Sequence, residues 1–425
     1  MLERRKPIKV REAIAKVMEY ARVGSIEYVP IAQSYGRYLG EDLIATHPVP
    51  PFDRSPYDGF ALRSEDTIHA ISTEPINFEV VGHIGAGIVF PNKVGRFEAV
   101  RIMTGAQIPD GCDTVEMLEA VNEWSVEGRN YVQIKRKLKR GENISYTGED
   151  TKEGTVLAKK GTYINPGIVA LLATFGYKKV PVSQKPTIGI IATGSELLEV
   201  GDVLQPGKIR NSNAYMIYSQ IERSGGSPTY LGQFQDELEM CLYQVRNAIE
   251  QFDIVITTGG VSVGDFDYLP EIYRRLGAKV LFNKIAQRPG SVTTVAELDG
   301  KLLFGLSGNP SACYVGFELY VRPVIQAFLN SSYPFNYRTF ATLKGKFAKP
   351  NPFDRFVRGH LSFENGVLQV QPVGLDKSNV VSTLSKANVL IILPGGQSTY
   401  NEGEKVSVIM LENNEGMKYE EFVNW

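Results

Sequence analysis

Residues 254–270 read IVITTGGVSVGDFDYLP, and the fold turns on how this stretch is interpreted. Apolar and β-branched residues run into Thr257-Thr258-Gly259-Gly260, the pattern of a buried strand that empties into a loop with little side chain to obstruct a ligand. In an open α/β sheet the ligand crevice lies beyond the carboxyl ends of the strands. Asp265 and Asp267 would then stand at its mouth, and two carboxylates so close together suit a hard cation. Taken alone, TGG is equally a tight turn and the acids are solvated loop residues. The neighbouring sequence favours the ligand-binding reading.

From residue 186 onward strand and helix alternate. Strands are expected at 188–192, 229–234 and 254–258, and helices at 211–224, 236–251, 269–276 and 311–328. The segments 292–298 and 301–306 flank Asp299-Gly300 as a hairpin. The alternation predicts a doubly wound α/β domain over 185–333 with a crevice at the switch point. Three loops would meet there: Thr193-Gly194-Ser195-Glu196, the central TGGVSVGDFD with Ser262, and Ser307-Gly308-Asn309-Pro310. The last looks like a helix start, whose free N–H groups suit a phosphate. Between them FNKIAQRPGS carries Lys284 and Arg288. Cations there, beside Glu196, Asp265 and Asp267, would accommodate a phosphorylated anion with a divalent metal; the plain alternative for Lys284 is an exposed strand lysine.

Upstream, Val10, Ala13, Ile14, Val17 and Met18 fall at helical spacing. The prolines of His47-Pro48-Val49-Pro50-Pro51 exclude helix and place a domain boundary. Next comes FDRSPYDGFALR, in which Asp53 and Asp58 flank a Ser-Pro turn and Asp58 is read, by itself, as a turn aspartate. Short strands follow at 60–63, 78–81, 99–103, 114–118 and 131–134, with Thr104-Gly105 ending one of them. The basic run 135–140 reads most simply as a solvated strand edge. GENISYTGED, with Glu149-Asp150, closes this β-rich insertion over 48–147, and Asn165-Pro166 starts a helix. Residues 148–184 are too few for their own core, so they are expected to join 1–47 as one interrupted N-terminal domain. Beyond 334 the chain returns to strands at 337–343, 355–363, 367–370, 389–393 and 405–411, predicting a C-terminal small β-barrel or sandwich over 334–425. Within it Arg358 and Ser378 read as surface residues.

The 425 residues are too many for one ordinary core. With 46 Lys plus Arg against 47 Asp plus Glu, no global field draws the chain to nucleic acid or an anionic membrane. Cys112, Cys241 and Cys313 are far apart and odd in number, as expected of buried thiols in a reducing cytoplasm. The start has no apolar signal-peptide core and no run is long enough to span a bilayer, so a cytoplasmic protein is expected.

In order and spacing, FDRSPYDGFALR, RIMTGAQIPDG, GENISYTGED, TTGGVSVGDFDY and GLSGNPSA resemble the molybdopterin molybdenumtransferase family and the homologous E domain of gephyrin, over essentially the whole chain. The resemblance implies a four-domain fold and a homodimer whose cleft lies between the insertion of one subunit and the last two domains of the other. It implies Mg²⁺-dependent hydrolysis of the adenylyl group of adenylylated molybdopterin, with molybdate as second substrate, and contact with the adenylyltransferase that makes the nucleotide. Carried over position by position, it makes Asp58, Thr104, Asp150, Glu196, Asp236, Asp267, Lys284 and Arg288 the catalytic set, with metal handling at Glu196 and Asp267. Thr193, Gly194, Ser195, Gly259, Gly260, Ser262, Gly308, Asn309 and Pro310 fall to the pterin and phosphate site, and Arg358 and Ser378 to the surroundings of molybdate. Where many relatives read KPGKP, this chain has Arg288-Pro289-Gly290-Ser291-Val292, keeping the first charge and losing the second. LPGNP has become Leu306-Ser307-Gly308-Asn309-Pro310, and the arginine often found before GED is replaced within Ser145-Tyr146-Thr147. These departures leave a tungstate-inserting paralogue or a non-catalytic molybdopterin-binding scaffold as the alternatives.

Overall fold

The computed structural model describes residues 6–234, 238–259, 269–349, 351–364, 366–397 and 399–411. Asp236, Gly260, Ser262, Asp265 and Asp267 lie outside the described residues. The chain divides into two compact units: residues 1–41, 160–165 and 179–425 form one, and residues 42–159 and 166–178 the other.

The first unit is built on a six-stranded sheet in the order Ser227–Phe234, Thr187–Thr193, Ile254–Thr258, Lys301–Leu306, Thr294–Leu298 and Lys279–Phe282. The first four strands are parallel, and Thr294–Leu298 runs against both its neighbours. From Thr187–Thr193 the chain steps outward to one edge and then returns to the other side at Ile254–Thr258. The switch point therefore falls between the carboxyl ends of these two strands. Ile188, Ile190 and Ile256 enter one core with Val10, Ala13 and Val17 of the helix Val10–Met18, while Ile191 and Val255 enter a second core beneath the helices Leu238–Gln251 and Leu269–Leu276. Cover on both faces explains why these strands read as unbroken apolar runs, each buried aliphatic side chain contributing about 1.5–3 kcal/mol.

The single helix expected over 311–328 is three pieces: Pro310–Gly316, a π turn Phe317–Val321, and Arg322–Phe328. The break has a local cause. Pro323 has no N–H to donate, and in an unbroken helix its ring would meet the carbonyl of Leu319; a widened turn relieves both.

In the C-terminal part Arg338–Leu343, Asp354–Glu364, Val367–Pro372, Val389–Leu393 and Lys405–Met410 close into a five-stranded barrel. A short strand from the α/β segment, Gln287–Arg288, adds in parallel to Asp354–Glu364, and Phe356 and Leu390 pack into the α/β core. At the N-terminal side Ile26–Pro30 pairs antiparallel with Lys179–Ser183.

The second unit holds a six-stranded sheet in the order Thr114–Met117, Gly59–Leu62, Glu98–Ile102, Ile76–Ile84, Arg129–Ile134 and Asn122–Val126. Its basic run 135–140 corrects the strand-edge expectation. The run follows the end of Arg129–Ile134 as a loop, Leu138 is buried, and Arg136 is drawn onto Glu116 at 2.8 Å and Glu142 at 2.7 Å. Among the described residues no helix is long and apolar enough to cross a membrane.

Candidate functional site

A cavity of about 850 Å³ opens at the switch point of the first unit, where the loops after Thr187–Thr193, Ile254–Thr258 and Lys301–Leu306 meet. Thr193, Gly194, Ser195, Glu196, Gly259, Gly308 and Asn309 all line it. The approach is close enough to demand glycine. Gly259 has φ +89°, and a Cβ there would stand 2.5 Å from the carbonyl oxygen of Thr193. Gly194, at φ +140°, lies so near the Glu196 carboxylate that a Cβ would be 2.5 Å from it. Gly259 lets the first and central loops touch, and Thr193 Oγ1 donates to the Thr258 carbonyl at 3.2 Å across the seam.

Several residues that sequence reasoning passed over hold the loops in place. The Lys208 ammonium donates to the Ser195 carbonyl, and Asn213 Nδ2 donates to the Gly308 carbonyl at 2.8 Å. Gln287 is fully buried, accepts from Tyr320 Oη and donates to the Pro289 carbonyl at 3.0 Å, which fixes the Arg288-Pro289-Gly290 turn. Amide side chains are common at surfaces, so only their burial marks these.

The helix start at Asn309-Pro310 differs from the expected bare receptor. The Asn309 N–H meets Ser307 Oγ at 3.2 Å, Pro310 has none, and the Ser311 N–H donates to the Ser378 carbonyl at 3.0 Å. Ser311 Oγ also donates to the Val380 carbonyl at 2.7 Å. The helix terminus is thus used to dock a barrel loop, and that loop brings Asp376, Lys377 and Ser378 into the cavity wall.

Arg358 supports the same loop from behind. Its side chain is 1% exposed, and its guanidinium donates to Asp376 Oδ1 at 3.1 Å and to the carbonyls of Leu375 and Lys377. Burial pushes its pKa down from the ordinary value, and Asp376 opposes that shift. Arg355, unremarked in the sequence, lines the cavity together with the exposed Arg288. Lys284 is half-buried outside the cavity lining, and its carbonyl accepts from the Ile8 N–H at 3.1 Å.

In the second unit, Asp58 Oδ1 accepts from the Thr104 N–H at 2.7 Å and its hydroxyl at 2.8 Å. The two bonds, the backbone one foremost, hold the Asp58 carboxyl below its usual range. Asp53 Oδ1 makes the same double contact with Thr147, at 2.8 Å to each group. Asp150 is exposed nearby on the chain, its N–H donating to the Val49 carbonyl at 3.0 Å.

The carboxylate of Glu196 is an oxygen donor of the kind Mg²⁺ takes, and it is exposed at the cavity rim. Among the described residues no three His, Cys, Asp or Glu side chains converge as a complete metal cage. Mg²⁺ commonly keeps several waters and needs only one or two carboxylates, so the donor type fits.

Residues 8–176 match the MoeA N-terminal region (domain I and II), residues 189–327 the probable molybdopterin binding domain, and residues 341–411 the MoeA C-terminal region (domain IV). A Bacillus subtilis (strain 168) protein named molybdopterin molybdenumtransferase is 54% identical over 419 residues, covering 99% of this chain and 97% of its own length. The chain belongs to the molybdopterin molybdenumtransferase family. A Staphylococcus aureus (strain COL) protein of that name is 48% identical over 413 residues, covering 97% of this chain and 98% of its own. The crystal structure of the molybdopterin biosynthesis moeA protein from Pyrococcus horikosii is similar with a TM-score of 0.84 at 30% identity, covering 96% of this chain and all of that one. The cavity described above thus lies in the segments matching the family's molybdopterin-binding and C-terminal regions.

Proposed function

We propose that this protein inserts molybdenum into molybdopterin: it takes adenylylated molybdopterin and molybdate, hydrolyses the adenylyl group, and releases AMP with molybdenum held on the dithiolene sulfurs. The observation that carries the reading is the meeting of three glycine-bearing loops with Arg288 and with Arg355, Asp376, Lys377 and Ser378 of the barrel on one cavity of about 850 Å³. Such a cavity is large enough for a pterin nucleotide. Its polar wall offers the Gly308 backbone, where no side chain keeps a phosphate away.

Each residue then has a task. Gly308 lets the diphosphate lie close to the backbone, and Gly259 and the Thr193 hydroxyl hold the first and central loops together. Arg288 and Lys377 oppose the charge that develops on the phosphoryl oxygens during hydrolysis. Glu196 would hold Mg²⁺, with Asp267 as second ligand carried over from the family, and bound Mg²⁺ supplies polarisation of the phosphoryl oxygen. Glu196 would also orient a water for attack. Asp376 and Arg358 keep Ser378 in place at the molybdate end.

The same reading makes the protein a cytoplasmic homodimer in which Asp58, Thr104 and Asp150 serve the partner's cavity, and in which the nucleotide arrives from an adenylyltransferase. Family resemblance supports these points. The test is AMP release from adenylylated molybdopterin by the purified protein with Mg²⁺, with and without molybdate. Molybdate-dependent release is expected; release that ignores molybdate, or none at all, would sink the reading.

A further inference from the structure

The strand pairing at the cavity wall sets two arginines side by side. Gln287–Arg288 runs parallel to the start of Asp354–Glu364 with Arg288 opposite Arg355, and residues so paired share one face of a sheet. Like charges opposite one another repel unless an anion stands between them. Arg288 is exposed, and among the described residues its guanidinium has no hydrogen bond or ion pair. Arg355 is held at Nε and more weakly at Nη1, which lies 3.5 Å from the Lys349 carbonyl. Its Nε donates to Asp376 Oδ2 at 2.7 Å, its guanidinium lies 5.6 Å from the Phe347 ring, and its side chain is 17% exposed.

Asp376 cannot quiet this end of the cavity, because it also faces Arg358 at 3.1 Å and Lys349 at 3.8 Å. One carboxylate against three cations leaves an excess of positive charge, and Arg288 adds to it. The arrangement makes physical sense once an anion is bound, since two guanidinium forks can each give paired N–H bonds to one tetrahedral group. A side chain already fixed by Asp376 and Phe347 loses little further freedom in doing so.

We propose that Arg288 and Arg355 together form the receptor for a doubly charged tetrahedral oxyanion, with Arg355 supplying from the barrel the second cation that the Arg288-Pro289-Gly290-Ser291 turn lacks. The identity of the anion rests on the function proposed above: it is free molybdate or a phosphate of the nucleotide. The class of ligand rests on the two arginines alone.

The test is titration calorimetry of the full-length protein and its Arg288→Gln and Arg355→Gln variants with sodium molybdate and with inorganic phosphate. Both variants are expected to weaken the same anion by about tenfold. Arg288→Gln breaks no hydrogen bond or ion pair among the described residues, so its effect reports on the anion and not on folding. If Arg355→Gln does not fold, Arg355→Lys replaces it, keeping the ion pair but not the planar fork, with an expected weakening of about threefold. Failure of wild type to bind either anion, or unchanged binding in either variant, overturns the proposal. Half-saturation in the AMP-release assay then separates the sources: a shift for molybdate alone marks free oxyanion, a shift for the nucleotide alone marks its phosphate. If wild type binds the anion and the variants lose it while AMP release is absent, the proposed reaction fails and the receptor stands.

Discussion

The Asp58 carboxylate shows how one pair of short bonds prepares a charge. Thr104 gives both its N–H and its hydroxyl to a single oxygen, which leaves the other oxygen of Asp58 outside that contact. The bonds favour the ionised form, so the folded pKa lies below the unfolded one. The stability they contribute is therefore present above the unfolded pKa and lost as pH falls through the folded value. Thr104→Val removes the hydroxyl and keeps the backbone bond. The Asp58 pKa should then rise toward the ordinary carboxylate value without reaching it, as read by carbon NMR titration of the side-chain carboxyl; an unmoved or lowered pKa would contradict this. The turn itself was legible in DRSPYDG, because Asp-Gly and Ser-Pro restrict the backbone locally. The partner Thr104 follows from a distant strand end, and no local rule names it.

Among elements, the broken helix over Pro310–Phe328 carries the clearest energetic consequence. Its π turn places Glu318 in the interior with its side chain 1% exposed. There it accepts from Gln220 Nε2 at 2.7 Å, from Asn336 Nδ2 at 3.0 Å and from the Arg223 guanidinium. Arg223 and Gln220 belong to the helix Asn213–Arg223, so this one carboxylate fastens two helices of the α/β layer. Glu318→Ala should lower unfolding stability by about 3 kcal/mol, because it strands a partly buried guanidinium and two amides. Urea unfolding would measure it, and a loss below about 1 kcal/mol would mean that solvent replaces the carboxylate. Both helices were readable from their apolar spacing. The π turn was not, since Pro323 in a helical pattern signals an interruption without saying how the chain absorbs it.

At the scale of the molecule, the proposed homodimer makes a prediction that no single subunit can satisfy. An Asp58→Asn subunit lacks a group given to its partner, whereas a Glu196→Gln subunit lacks one in its own cavity. Each homodimer should be inactive. Random mixing after dissociation should restore about a quarter of wild-type AMP release, since half the dimers are mixed and each carries one intact site. No recovery in mixtures shown by mass spectrometry to contain heterodimers would mean that the two residues act within one subunit.

The sequence by itself determined the doubly wound domain, its central strand, the three loops at the switch point and the C-terminal β segment. These follow from period, chain direction and turn chemistry, all local properties of the chain. It also carried the family resemblance, through five motifs whose order survives without any structure. Only the tertiary structure decided which cations face the cavity. Arg355 and Arg358 stand three apart in DRFVR and look alike as text, yet one lines the cavity beside Arg288 and the other is buried under the loop it supports. It likewise decided that the start of the Pro310–Gly316 helix docks a barrel loop through Ser311. Such outcomes depend on strand register and on contacts between segments far apart in the chain, and no window of sequence contains both partners.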